Sequence, residues 1–376
     1  MLTLSAWSRP VRLVLVCGAL ACFDCGLASA SAYDHEGLAR EALKHHIRPG
    51  YTAFQTSAEG LAGAVTELCK TPSAAGLVRA RSAFKDAVLS WGRVEHLRFG
   101  PVTDDKRNER LLFWPDPKGV ARRQVAAIIE TGEESALDHR LAGKSIAVQG
   151  FTALDIVLFG GGSKDLDASP AQGSSRCKYA MALSANIASI AKAASDGWAA
   201  GSAYEKLWLQ PGESNSTYIT SKETTQALLQ SYVLGIELLR DQRLKGPLGI
   251  QKVGAKALEP MLPNSGLAVP FLRANIEGVR SLLREGGFVA RQAAPPITDP
   301  SRQEMTVLGS IAEELTRAAE AAGSAERISP TPFKDSAARE KLISMGFPLK
   351  NAYTTGARTI AGEAGITLGF SSLDGD

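Results

Sequence analysis

The stretch Leu77-Val78-Arg79-Ala80-Arg81-Ser82-Ala83-Phe84-Lys85-Asp86-Ala87-Val88-Leu89-Ser90-Trp91-Gly92-Arg93-Val94 decides the fold class. Leu77, Phe84 and Trp91 recur every seventh residue, and Ala80, Ala87 and Val94 fall between them, so one apolar seam runs along a helix that must pack against others. Beyond the seam, Arg98 places positive charge near the helix end, and Gly100-Pro101 offers a left-handed cap followed by a breaker. The next helix starts with equal clarity: Asp116 is its expected cap, Pro117 suits its first position, and the amphipathic run Val120 to Glu130 follows. Similar stripes recur at Leu183, Ile187, Ile190, Ala194 and Trp198, at Leu229, Tyr232, Ile236 and Leu239, and at Leu308, Ile311 and Leu315. No segment alternates apolar and polar residues between hairpin turns, which speaks against a sheet of any size. The expected fold class is all-α.

Glycine and serine mark surface connections at Gly160 to Ser175, Gln210 to Ser221 and Gly286 to Pro300. The first thirty residues carry the layout of a secretory signal: Arg9 and Arg12, an apolar run from Leu13 to Leu20, then small residues ending Ala28-Ser29-Ala30. That run is shorter than the about 20 residues a membrane-spanning helix needs, and no later segment is apolar enough to span. A soluble protein of the periplasm or cell envelope is expected. A rival reading takes Ala19-Leu20-Ala21-Cys22 as a lipoprotein cleavage site with Ala in place of the usual Leu, which puts a lipid on Cys22. About 346 residues remain after residue 30, more than one core usually supports, so two domains are expected, 31–212 and 213–376.

Loss of Arg9, Arg12 and Asp24 with the signal lowers the formal charge only from +3 to +2. The cations are scattered among acids and are not interleaved with stacking aromatics, which argues against nucleic acid as a partner. Cys17, Cys22 and Cys25 fall in the signal region, leaving Cys69 and Cys177. In an oxidising compartment two cysteines suggest one disulfide; the other reading is two buried thiols.

One segment carries a recognisable frame: Gln149-Gly150-Phe151-Thr152-Ala153-Leu154-Asp155-Ile156-Val157-Leu158-Phe159-Gly160. It resembles the imelysin family, whose motif is glycine, any residue, histidine, two residues, glutamate, then an apolar helix. Here Thr152 stands for the histidine and Asp155 for the glutamate. Three further stretches resemble landmarks of that family: Trp91 to Pro101, Arg110 to Asp116, and the tail Gly369 to Asp376. The placement of Cys69 and Cys177 is also similar. The resemblance covers nearly the whole chain after the signal. It implies a pair of four-helix bundles, an envelope location, a link to bacterial iron uptake and iron or another divalent metal as the ion concerned. It also carries an older label, a metal-dependent peptidase, because the histidine-glutamate motif was read as a metallopeptidase site. A related domain occurs in the periplasmic component of a ferrous-iron uptake system.

On the residues themselves, a His and a Glu three apart share one helix face and reach one ion. Thr152 and Asp155 do not reproduce this, because a neutral hydroxyl is a feeble ligand for iron or zinc. The structural alternative is a capping box, with Thr152 capping the helix and Asp155 reaching back in place of the usual Glu or Gln. Gly369-Phe370-Ser371-Ser372-Leu373-Asp374 echoes Gly150 to Asp155, too briefly to establish a repeat.

The histidines are His35, His45, His46, His96 and His139, and none belongs to a pair four apart flanking a glutamate. His45 and His46 read as a partly exposed helix end before Pro49. Glu95 and His96 read either as a solvated helix face or as a site lining the cleft between bundles. Trp114 reads as a core anchor. Neither a glycine-rich phosphate loop nor a Gly-x-Ser-x-Gly elbow is present.

Two functions follow. The first is a non-enzymatic envelope protein assisting metal acquisition by binding an ion, a small chelate or a partner protein, with Asp155, Glu95, His96 and Asp116 as the available groups. The second is a metal-dependent peptidase, which the missing motif histidine opposes. A degenerate member kept as a structural partner is a third.

Overall fold

A computed structural model describes residues 33–168, 174–291 and 306–367. Helices α1 (His35–Ala42), α2 (Arg48–Lys70) and α3 (Ala74–Val94) lead to the short α4 (Arg107–Leu111); α5 (Val120–Thr131), α6 (Gly150–Phe159), α7 (Ser175–Gly197) and α8 (Ala203–Leu209) follow. Then come α9 (Ser221–Glu237), α10 (Lys245–Leu248), α11 (Ala268–Arg284), α12 (Phe288–Arg291), α13 (Val307–Ile328), α14 (Ser336–Ser344), α15 (Gly346–Asn351) and α16 (Ala357–Glu363). No strand occurs among the described residues, so the chain is all-α. The signal expected in the first thirty residues, Cys22 and the tail echo at 369–374 lie outside the described residues.

The seams close as their spacing requires. Leu77, Ala80, Phe84, Ala87, Trp91 and Val94 are all buried, as are the stripes on α7, α9 and α13. Helix starts follow local chemistry: Ser73 accepts from the Gly76 N–H (3.1 Å), Asp335 from Ala338 (2.9 Å) and Ser174 from Cys177 (3.2 Å). In the first half α2 packs on α3 and α7, with α6 against α7 and α3; in the second, α11 packs on α13. A disulfide between Cys69 and Cys177 joins the end of α2 to the start of α7, with Cα atoms 5.7 Å apart. Closing a loop of 108 residues removes denatured-state entropy worth about 4–5 kcal/mol in the chain-entropy account.

Helices from the two ends of the sequence pack together where α9 meets α1 and where α11 meets α3. There a Cβ on Gly278 would lie 2.2 Å from the Arg93 carbonyl oxygen, and one on Gly92 would lie 3.0 Å from the Ala274 Cβ. Only glycine lets these two backbones approach so closely.

Three expectations about helix ends change. α3 stops at Val94, well before Gly100, and residues 95–99 turn inward; Gly100 is left-handed (φ 70°) but opens the next turn. α5 begins at Val120 rather than at Pro117, and Asp116 caps it from upstream, accepting from Val120 and Ala121 N–H at 2.8 Å each. Pro49 does not end a helix. Its ring crowds the carbonyl of His45 and it donates no hydrogen bond. The wide π turn Leu43–Ile47 absorbs that defect, and the helix continues as α2.

Candidate functional site

Gln149 and Gly150 bring the motif segment against the end of helix α4. Gly150 has φ +67°, and a Cβ there would lie 2.3 Å from the Arg110 carbonyl oxygen and 2.4 Å from that of Leu111, so glycine is required on both counts. Arg110 steadies the turn by donating from Nε to Gln149 Oε1 (3.0 Å) and from Nη2 to Asn186 Oδ1 (2.9 Å).

Thr152 and Asp155 do not form a capping box, because α6 has no side-chain cap. Both side chains leave their own helix. The Thr152 hydroxyl donates to the Phe113 carbonyl oxygen at 3.0 Å. Asp155, fully buried, holds the loop before α11: its Oδ2 accepts from Asn264 N (3.1 Å) and Nδ2 (2.8 Å), and its Oδ1 from Ser265 N (2.9 Å). Burial pushes the Asp155 carboxyl up from the usual carboxylate range, and the bonds from Ser265 and Asn264 pull it only part of the way back. The pair therefore staples two loops onto α6.

Those loops wall a cleft of ≈ 1080 Å³ that Thr152, Asp155 and Asp116 all line. Trp114 lies on this wall rather than deep in the core, and its indole Nε1 donates to the Glu259 carbonyl oxygen across the cleft (3.0 Å). Lys118, Arg122, Lys256 and Lys334 also line it; they are exposed, and their side chains have no ion-pair or hydrogen-bond partner among the described residues. Arg339 is spent on the carbonyl oxygens of Phe333 (2.9 Å) and Leu248 (3.0 Å).

Glu95 and His96 occupy a different place, a buried polar cluster between α3, α11 and the π turns at Leu43–Ile47 and Leu238–Leu244. They are not a solvated face. The Glu95 carboxylate receives both terminal nitrogens of Arg243 in a bidentate ion pair, and Asn275 Nδ2 donates to it at 3.2 Å. Arg98 lies 3.7 Å from the same carboxylate. Arg243 also donates to Asn275 Oδ1 (2.8 Å) and sits over the Phe271 ring at 5.1 Å from its centre.

His46, expected to be partly exposed, is buried here because the π turn rotates it inward; His45 stays exposed beside Glu41 at 3.4 Å. His46 Nε2 faces His96 Nε2 at 3.0 Å, and His46 Nδ1 meets Ser281 Oγ at 2.9 Å. His96 Nδ1 is buried with no partner in the described structure. An unmet acceptor costs less here than an unmet donor, so His96 Nε2–H donates to His46, whose Nδ1–H donates to Ser281. Burial holds His46 down at about 4, and burial together with the neighbouring His46 holds His96 well below the usual histidine range.

The four carboxylate and imidazole groups expected around a metal are thus divided: Asp116 and Asp155 at the cleft, Glu95 and His96 in the buried cluster. Among the described residues no three His, Cys, Asp or Glu side chains are placed to hold one ion. At Asp155 an ion would share the carboxylate with three N–H groups whose positive ends face it, and Thr152 offers a hydroxyl committed to Phe113. At Glu95 the ion would meet Arg243 and Arg98. Neither place fits a divalent metal well.

His46, Ser281, Arg243, Asn275 and Asn264 escape sequence reading, since each meets its partner across a long stretch of chain. The adjacent His45-His46 before Pro49 was the one local signal, because a proline inside an apolar helix must be absorbed by a wider turn.

The family model described as Imelysin matches residues 47–343. A curated relative, Iron-regulated protein A of Synechococcus elongatus, is 23% identical over 209 residues, which are 55% of this chain and 53% of that protein. The chain therefore spans about half the length of the curated relative it matches. The crystal structure of an imelysin-like protein from Psychrobacter arcticum 273-4 superposes with a TM-score of 0.71 at 19% identity, over 90% of this chain and 98% of that one. A second crystal structure, of a Parabacteroides distasonis protein, gives a TM-score of 0.68 at 16% identity, over 89% and 97% of the two chains. These two likenesses concern the fold.

Proposed function

Because the chain belongs to the imelysin family, we propose that it is a non-catalytic member that serves iron handling in the cell envelope, binding a preformed chelate in the cleft beside α6 rather than a bare ion. The observation that carries this reading is the commitment of the motif positions. Asp155 spends both oxygens on Asn264 and Ser265, and Thr152 spends its hydroxyl on Phe113. A carboxylate held in this way acts as a structural clamp.

Export by the segment 1–30 and the division into bundles at 31–212 and 213–376 belong to the same reading. The first part supplies Thr152 and Asp155, and the second supplies Asn264 and Ser265, so the cleft lies where the two parts meet. The iron connection rests on the name of the Synechococcus relative. No helix among the described residues is long and apolar enough to cross a membrane.

Calorimetry of the protein lacking residues 1–30 with iron(II) and with zinc(II) tests the reading. The parent is expected to take up neither ion stoichiometrically, and Thr152→His, which restores an imidazole three residues before a carboxylate, is the comparison for gained affinity. Tight one-to-one uptake by the parent that disappears in Asp155→Ala would overturn it.

A further inference from the structure

We propose that the cleft selects an anionic ligand, a polycarboxylate complex of iron(III), which Lys118, Arg122, Lys256 and Lys334 engage beside the Trp114 ring. The inference rests on the chelate-binding reading above and names the chemical class of its ligand.

The cleft's charges are unequal in availability. Its acidic side chains are Asp116, held by the Val120 and Ala121 N–H groups, Asp155, held by Asn264 and Ser265, and Glu259. Against these three stand Arg339 and the four cations with no partner among the described residues, five positive groups to three negative ones. A concave wall with low-dielectric sides focuses such a surplus and raises the local concentration of anions.

A bare ferric or ferrous ion is repelled by the same surplus. Wrapped in carboxylates, the ion carries net negative charge and turns oxygen acceptors outward, which suits ammonium and guanidinium donors. The volume of ≈ 1080 Å³ lies just above the range of small-ligand sites, about 300–1,000 Å³, and leaves room for a bulky complex. Prolines at 115, 117, 247, 260, 263, 330 and 332 line the cleft and restrict its backbone, so little ordering is left for the ligand to impose. The long stems of Lys118, Lys256 and Lys334 remain free to close on a ligand from the outside.

The test uses gallium(III) citrate, a redox-inert stand-in for the ferric complex, titrated into the whole protein lacking residues 1–30. Calorimetry gives the affinity, and tryptophan emission compared with Trp114→Phe locates the binding. The expected result is one-to-one binding that weakens as salt is added and falls by at least about tenfold in the double variant Arg122→Gln/Lys256→Gln, because charge-assisted hydrogen bonds are lost. Both positions are exposed, so that variant should melt with the parent.

Absence of gallium citrate binding, or binding indifferent to the double variant, overturns the inference. Citrate alone binding as tightly as its gallium complex overturns the assignment to a metal complex. Failure here leaves the broader reading intact if the parent also refuses bare iron(II) and zinc(II). Uptake of a bare ion through Asp155 defeats the broader reading itself.

Discussion

His46 and His96 face each other through their Nε2 atoms at 3.0 Å in the buried interior, with Arg98 and Arg243 grouped around the neighbouring Glu95. Both imidazoles fold neutral, and His46 is held down at about 4 from an ordinary 6.5. Its folded affinity for protons is lower than its unfolded affinity, so the unfolded chain binds more protons between those values and stability rises with pH across that window. Acidifying from 7 to 4.5 is expected to remove on the order of 2–3 kcal/mol at this position, on top of any general acid effect. Urea unfolding at both pH values checks it. His46→Gln should flatten that part of the profile, and an unchanged slope would reject the assignment.

Glu95 and Arg243 form a buried ion pair, and removing one partner leaves the other charge stranded. Glu95→Gln is therefore expected to destabilise by about 3–5 kcal/mol. The double replacement Glu95→Met/Arg243→Met should recover only part of that loss, because it no longer strands Arg243 but still takes the carboxylate away from Arg98, 3.7 Å from it. A double variant as unstable as the single one would show that the stranded Arg243 charge is not the source of the loss, and thermal melts of the three proteins decide it.

Asp155→Ala should cost about 2–4 kcal/mol, since it strips acceptors from three N–H groups of Asn264 and Ser265 at once. Thr152→Ala removes a single bond to Phe113 and should cost about 1 kcal/mol. Hydrogen exchange distinguishes the two: the amides of 264 and 265 should lose protection in the first variant and keep it in the second.

Gly278→Ala forces a methyl into the Arg93 carbonyl oxygen, 2.2 Å from the Cβ position, and should destabilise by about 2–3 kcal/mol or more by pushing α11 off α3. Gly63→Ala, in α2 with nothing within 4 Å, should instead stabilise by about 0.5–1 kcal/mol. Denaturant midpoints of opposite sign are the expected outcome; two stabilising substitutions would mean the helices are not so closely apposed.

Helix identity was open to direct reading because its code is local. The Leu77, Phe84 and Trp91 spacing places each residue on one face through the helix turn itself, and caps such as Ser73 and Asp335 act over three residues. The motif frame around Gly150 was legible for the same reason, and with it the imelysin likeness. The helix ends at Val94 and Val120 were less legible, because distant packing and an upstream aspartate set them.

The sequence by itself therefore determined an all-α chain, its buried seams and the altered motif positions Thr152 and Asp155. Only the tertiary structure decided what those positions do. Asp155 meets Asn264 across 109 residues, Glu95 meets Arg243 across 148 and His46 meets Ser281 across 235. Periodicity specifies which face a side chain occupies, while the partner it meets there depends on how helices from far along the chain are brought together, and no local spacing encodes that.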